Sequence, residues 1–307
     1  MVSAFLFLLP LVPYAVLRAG EAEPGPLFPG PEPDATAPPP SHPFACRANP
    51  APRDGEAAPS PFSARAIREA SRDWEWKNLE TPGWKLLMTP GFVVRGDVAI
   101  DDLRTVGATL EEFLKMARAS LGGDDAGLMY SARIFSSARD FRRYAVRSGA
   151  ANAESFYDPR SAELVVCLEG PPTAAWLQKT LAHEFAHEYM DRVWKRTEPL
   201  WFAEGVAEYF ANFSVRGGKA LPGAVDRRAL LLLKMDEPLP LEKFLKLGRE
   251  EMYGVLFARH YAQAWSFVHY LFTREDGVID LLLRGGAPPN IEELEKGWME
   301  HLKKLEP

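Results

Sequence analysis

Two histidines four residues apart flank a glutamate in His183-Glu184-Phe185-Ala186-His187. On a helix this spacing puts both imidazoles on one face, one turn apart, where they reach a common point. H-E-x-x-H in that setting holds zinc through the histidines and uses the glutamate as the general base of peptide-bond hydrolysis. A mononuclear catalytic zinc of the His₂Glu type needs one more carboxylate. Trp201-Phe202-Ala203-Glu204-Gly205-Val206-Ala207-Glu208 follows downstream and offers two, Glu204 and Glu208, themselves one helical turn apart. Either can complete the metal set begun by His183 and His187. The other is then placed to hydrogen-bond a ligand imidazole and fix its tautomer. Such a set holds one Zn²⁺ ion and leaves it a fourth position for water, whose pKa falls towards about 7. Glu184, angled beside the metal, takes the proton as water attacks a carbonyl and passes it to the leaving amine. A surface helix with two chance histidines would show the same five residues. The downstream carboxylates separate the two readings.

These groups need helices to hold them. Residues 173–193 contain neither Pro nor Gly and are rich in Ala, Leu, Glu and Gln, so local propensity favours a helix. Pro171-Pro172 precedes it and Thr173 is a suitable N-cap. Leu177, Ala182, Phe185, Ala186 and Tyr189 supply its packing surface. A second helix is expected from about 201 to 213, with Glu204 and Glu208 on one face.

Residues 200–209 resemble the W-x-x-E-G-x-A segment of gluzincin peptidases, among them the M1 aminopeptidases. They are closer still to the bacterial peptidase MA-like domains, in which H-E-x-x-H is followed by W-F-x-E-G-x-A-E-Y. The resemblance implies Glu204 as the third ligand and Glu208 as the support of a ligand histidine. The spacing from His187 is shorter than in the M1 enzymes, which keeps Glu208 as the alternative ligand. The M1 resemblance is local: no G-A-M-E-N-like segment lies upstream to hold a free amine. Resemblance to the MA-like domains extends from about 83 to 283, through Phe156-Tyr157-Asp158-Pro159 and the run Tyr261-Ala262-Gln263-Ala264-Trp265. It implies an α+β, zincin-like (thermolysin-like) catalytic domain with a small N-terminal sheet lobe and a mostly helical C-terminal lobe.

In gluzincins a Tyr or His downstream of the third ligand donates to the developing oxyanion. By that resemblance Tyr261 is the candidate and the adjacent His260 the alternative. Tyr261, Ala264, Trp265, Val268 and Leu271 also have the spacing of a buried helical stripe, which needs no catalysis to explain it. His269 reads as a partly buried helix residue; His42 and His301 carry no signal. The same resemblance places an extended peptide substrate along the strand expected at 163–168, adding to its edge as peptides do elsewhere.

The chain of 307 residues opens with an apolar run at 2–17, whose length fits a signal-peptide core better than a membrane span, with an uncleaved N-terminal anchor within 1–22 as the alternative. Residues 23–62 hold nearly half of the chain's 27 prolines and read as a linker without a core. Residues 63–307 are expected to fold as one zinc-peptidase domain, with 63–172 as the sheet lobe and 173–307 as the zinc-helix and helical lobe. Strands are expected within 84–94, 128–135 and 163–168, and helices at 101–121 and 138–146. Residues 217–223 read as a loop. Helices then follow at 226–235, 241–247, 251–272, 278–283 and 291–305.

A net charge of −6 with no long basic cluster argues against nucleic acid as the main partner. Two cysteines are too few for a disulfide framework. Cys167 reads as a buried thiol, with pairing to Cys46 as the alternative in an oxidising compartment. The expectation is an exported or envelope-associated zinc metallopeptidase acting on peptide or protein substrates, with a membrane tether through the N-terminal segment as one arrangement. A zinc-binding recognition protein without catalysis and an M1-like aminopeptidase are the alternatives.

Overall fold

The computed structural model describes residues 60–151, 153–169, 173–194, 199–274, 276–283 and 290–305. The segment expected as a signal or anchor, Cys46 and all but the last residues of the expected linker lie outside them. Helix α1 (Ala64–Ala70), capped by the Ser63 hydroxyl, leads into β1 (Glu75–Asn78). The Pro90-Gly91 turn divides the next run into β2 (Lys85–Met88) and β3 (Phe92–Gly96). There follow α2 (Ile100–Ser120), β4 (Tyr130–Phe135), α3 (Ala138–Ser148), β5 (Ser155–Asp158) and β6 (Glu163–Cys167). The six strands form one mixed sheet in the order β1-β2-β3-β4-β6-β5. Strands β3, β4 and β6 run parallel, and β5 lies antiparallel to β6 at the edge.

Alternation along the strands sorts the sheet into two faces. Phe92, Val94, Tyr130, Ala132, Ile134, Leu164 and Val166 share one face. They pack against the stripe Leu103, Val106, Leu110, Phe113, Leu114 and Ala117 of α2 in a single buried core. Full burial of one Leu, Val or Phe side chain there stabilises the fold by about 1.5–3 kcal/mol. Phe135, Val165 and Cys167 point the other way and pack under α3 with Phe141, Ala145 and Phe156. Cys167 is a buried free thiol whose pKa is raised by burial.

Past the sheet the chain turns helical. Helix α4 (Ala174–Tyr189) begins at Thr173, whose hydroxyl accepts from the Trp176 N–H at 3.1 Å, and it runs into a π-helical turn at Met190–Trp194. Phe185 of α4 reaches Phe92 and Tyr130, so α4 lies on the α2 face of the sheet. Helix α5 (Leu200–Ala211) follows, then the hairpin β7 (Phe213–Arg216) and β8 (Lys219–Pro222). The rest is α6 (Arg227–Met235), α7 (Leu241–Phe244), α8 (Arg249–Met252), α9 (Phe257–Leu271), α10 (Val278–Leu283) and α11 (Ile291–Lys304). The architecture is α+β, a mixed-sheet N-terminal lobe followed by a mostly helical one. No helix among the described residues is long and apolar enough to cross a membrane.

Helix α5 crosses α9 at very close range. A methyl group at Gly205 would lie 2.6 Å from the Ala264 carbonyl oxygen, so only glycine permits the crossing.

Three expectations are corrected. Strand β6 is hydrogen-bonded on one side to β4 and on the other to β5, so residues 163–168 have no free edge for a peptide. Among the described residues the sheet ends on this side at β5, whose four buried residues the sequence did not mark as a strand. The helix expected at 251–272 is two, broken by a turn at Tyr253 and Gly254 that separates α8 from α9. The loop expected at 217–223 is mostly the β7–β8 hairpin, turned by Gly217 and Gly218, both with positive φ.

Glu163, at the start of β6, is 1% exposed and clasped from several sides. Arg95 donates to its Oε1 through Nε at 2.7 Å and through Nη2. Arg133 donates to Oε2 through Nε at 3.2 Å and Nη2 at 3.1 Å. The Ser131 and Tyr144 hydroxyls complete the set, each at 3.4 Å. The Arg133 guanidinium also lies over the rings of Trp84 and Tyr144.

Candidate metal centre

The C-terminal half of α4 is buried on every side, which is unusual for a segment carrying two histidines and two glutamates. His183 and His187 converge as their spacing demands, with Nε2 atoms 3.3 Å apart. Helix α5 brings the Glu204 carboxylate to them, its Oε2 3.6 Å from each Nε2. These three buried groups form the one His, Cys, Asp or Glu cluster among the described residues that is suited to a metal ion.

The donor geometry fits a single ion. Zinc bonds of about 2.0–2.2 Å in a tetrahedron put neighbouring donor atoms about 3.3–3.5 Å apart. The three separations here span that range within about 0.2 Å. Glu204 Oε2 is buried and has no hydrogen-bond partner of its own, although Oε1 accepts from the Tyr253 hydroxyl at 2.7 Å. Burial opposes a charge on Glu204, but the two imidazoles outweigh it and hold the carboxyl well below its ordinary range. A buried anion with one oxygen left open between two imidazoles invites a cation.

No protein-family model matches the chain, and no curated protein does.

The surrounding groups orient the three donors. Glu208 Oε1 lies 3.2 Å from His183 Nδ1 and accepts a hydrogen bond from it, so in the neutral imidazole Nε2 is the lone-pair nitrogen facing the cluster. Burial lowers the basicity of His183, and Glu204 and Glu208 more than reverse that effect. Glu208 is therefore beside the cluster rather than in it. Glu184 is 1% exposed and accepts from the Ser155 hydroxyl at 2.7 Å through Oε1, while its Oε2 has no partner. Burial raises its pKa, and the two imidazoles only partly offset this. Glu184 is outside the donor cluster, as its position between the histidines implies.

Tyr261 comes to the same place from α9. Its ring stacks parallel to that of His183, 6.4 Å between centroids. Burial, then the Glu204 charge, pushes its phenol well above the ordinary value, so it stays protonated. His260 instead turns away, buried against the backbone of Glu251 and Met252. His269 pairs with His301, Nδ1 to Nε2 at 2.9 Å, far along α9 from the cluster.

Two functional groups escaped the sequence reading. Tyr253 lay inside what read as one continuous helix, and only the glycine after it hinted at a break. Ser155 begins β5, a strand too short and too polar to announce itself. Both reach the cluster through tertiary contacts that no local pattern records.

Proposed function

We propose that this protein is a zinc-dependent peptidase of the gluzincin kind, with His183, His187 and Glu204 holding one Zn²⁺ ion. The observation that carries the reading is Glu184: a buried carboxylate of raised pKa, held by Ser155 through one oxygen and unpartnered at the other, directly beside the donor cluster. A purely structural metal site has no use for such a group. Bound zinc supplies Lewis acidity, polarising a carbonyl and making water acidic near neutral pH.

The chain's own residues do the rest. Glu184 Oε2 accepts the proton of the attacking water and returns it to the leaving amine; Ser155 keeps the carboxylate from rotating away. The protonated Tyr261 phenol donates to the oxyanion that develops at the attacked carbonyl. Tyr253 and Glu208 fix the orientation of Glu204 and His183. An extended substrate lies along β5, which carries no strand on its outer side among the described residues and contributes Ser155 itself. The chain is exported, with the segment at 1–22 as signal or anchor and the proline-rich stretch as spacer.

Zinc content and hydrolysis of a diverse peptide library, compared between wild type and Glu184→Gln, test this. One zinc per chain in both proteins is expected, with hydrolysis lost by about 10²–10⁴-fold in the variant. The depth of the cluster, with Glu204 0% exposed, favours a second reading: a zinc-binding protein without catalysis. That reading wins if the wild type holds zinc, cleaves nothing across the library and is unchanged by Glu184→Gln.

A further inference from the structure

Helix α3 concentrates positive charge in a chain that is acidic overall. Arg139, Arg142, Arg143, Val146 and Arg147 occupy positions i, i+3, i+4, i+7 and i+8, which is one continuous helical face. All five are exposed, Val146 at 61%. The opposite face, Phe141 and Ala145, is locked onto the sheet, so the basic face is presented rigidly. Arg143 reaches Asp140 at 3.4 Å, whereas Arg139, Arg142 and Arg147 make no hydrogen bond or ion pair with any described residue. A surface cavity of about 730 Å³ lies along this face, lined by Phe135, Asp140, Arg142, Arg143, Val146 and Arg147.

Unpaired like charges on one helix repel one another and cost stability, so their clustering has no structural benefit. We infer that the α3 face docks the protein on an anionic phospholipid surface. Guanidinium forks match phosphate oxygens, and an exposed valine among them suits the boundary between headgroups and acyl chains. A single apolar segment gives only weak membrane attachment, and a basic patch is the usual second element of a stable one. The apolar run at 2–17 is a first element already present in the chain. Because α3 and α4 cover opposite faces of the sheet, docking by α3 turns the metal helix away from the lipid.

Co-sedimentation of the full chain with vesicles tests the inference, using phosphatidylcholine alone and an equal mixture of phosphatidylglycerol and phosphatidylcholine. Binding is expected to be stronger to the anionic vesicles and to weaken as salt shortens the screening length below about 8 Å. Each basic residue near the surface contributes about fivefold, so the triple variant Arg139→Gln/Arg142→Gln/Arg147→Gln should lose about 100-fold on anionic vesicles. The same variant should be unchanged on neutral vesicles and in circular dichroism and zinc content. Equal binding to both vesicle types, or a triple variant that binds like wild type, overturns the inference. So does binding to soluble polyglutamate that matches the anionic vesicles and vanishes in the variant, since the occupant would then be an acidic polypeptide.

Discussion

Two buried glutamates on the same sheet-and-helix framework are hydrogen-bonded in opposite ways. Glu163 has both oxygens filled by two arginines and two hydroxyls. Glu204 has one oxygen filled by Tyr253 and the other left open between two imidazoles. Burial costs each carboxylate its hydration, and that cost must be offset by nearby charge or hydrogen bonds. At Glu163 the protein supplies the offset itself, so the group holds three strands together. At Glu204 the two imidazoles hold the charge but leave Oε2 without a hydrogen bond, in a cluster suited to a cation. Between these two carboxylates, an oxygen left without a hydrogen bond and facing two imidazoles marks the difference.

Four measurements put pressure on this contrast, from the strongest effect down. Glu204→Ala should reduce zinc from about one ion per chain to near none while far-UV circular dichroism stays unchanged. Glu163→Ala should do the converse: zinc binding and activity per folded molecule persist, but two arginines lose their shared partner. Stability should fall by about 2–4 kcal/mol, near the lower part of the range for a broken buried pair because Arg95 reaches solvent, or about 5–15 °C in a thermal melt. If Glu163→Ala emptied the metal centre as Glu204→Ala does, the contrast would collapse. Glu208→Ala should keep the ion with about 10–100-fold lower affinity in a competition titration, because only the His183 tautomer is released. Tyr253→Phe removes one hydroxyl from Glu204 Oε1 and should weaken zinc about tenfold, the smaller share of the same range. A Tyr253→Phe loss as large as that of Glu204→Ala would mean that the hydroxyl positions the whole turn.

The two histidines around Glu184, and Glu204 with Glu208, were legible because each pair sits on one helix, where a spacing of four residues is already a geometry. Helix propensity and the Thr173 cap located α4, and periodicity found α2. Glu163 showed the limit of such reading. It starts an apolar strand whose edge the family resemblance assigns to a peptide, yet β5 pairs there, and nothing within Ser155–Asp158 signals that pairing. The Gly217-Gly218 pair did carry a hairpin signal, since two residues of positive φ between short strands are what a tight hairpin turn requires. Tyr253 became visible only in three dimensions: its role depends on a break in the helix and on a carboxylate from another one.

Gly205 touches no proposed ligand atom, yet it is fixed as tightly as one. Because α5 rests on the Ala264 carbonyl through that missing side chain, any substitution lifts Glu204 away from the two imidazoles. A saturation screen that selects for metal retention would therefore score Gly205 alongside His183 and His187. The tolerated alphabet at that position is one letter, set by the clearance between two backbones.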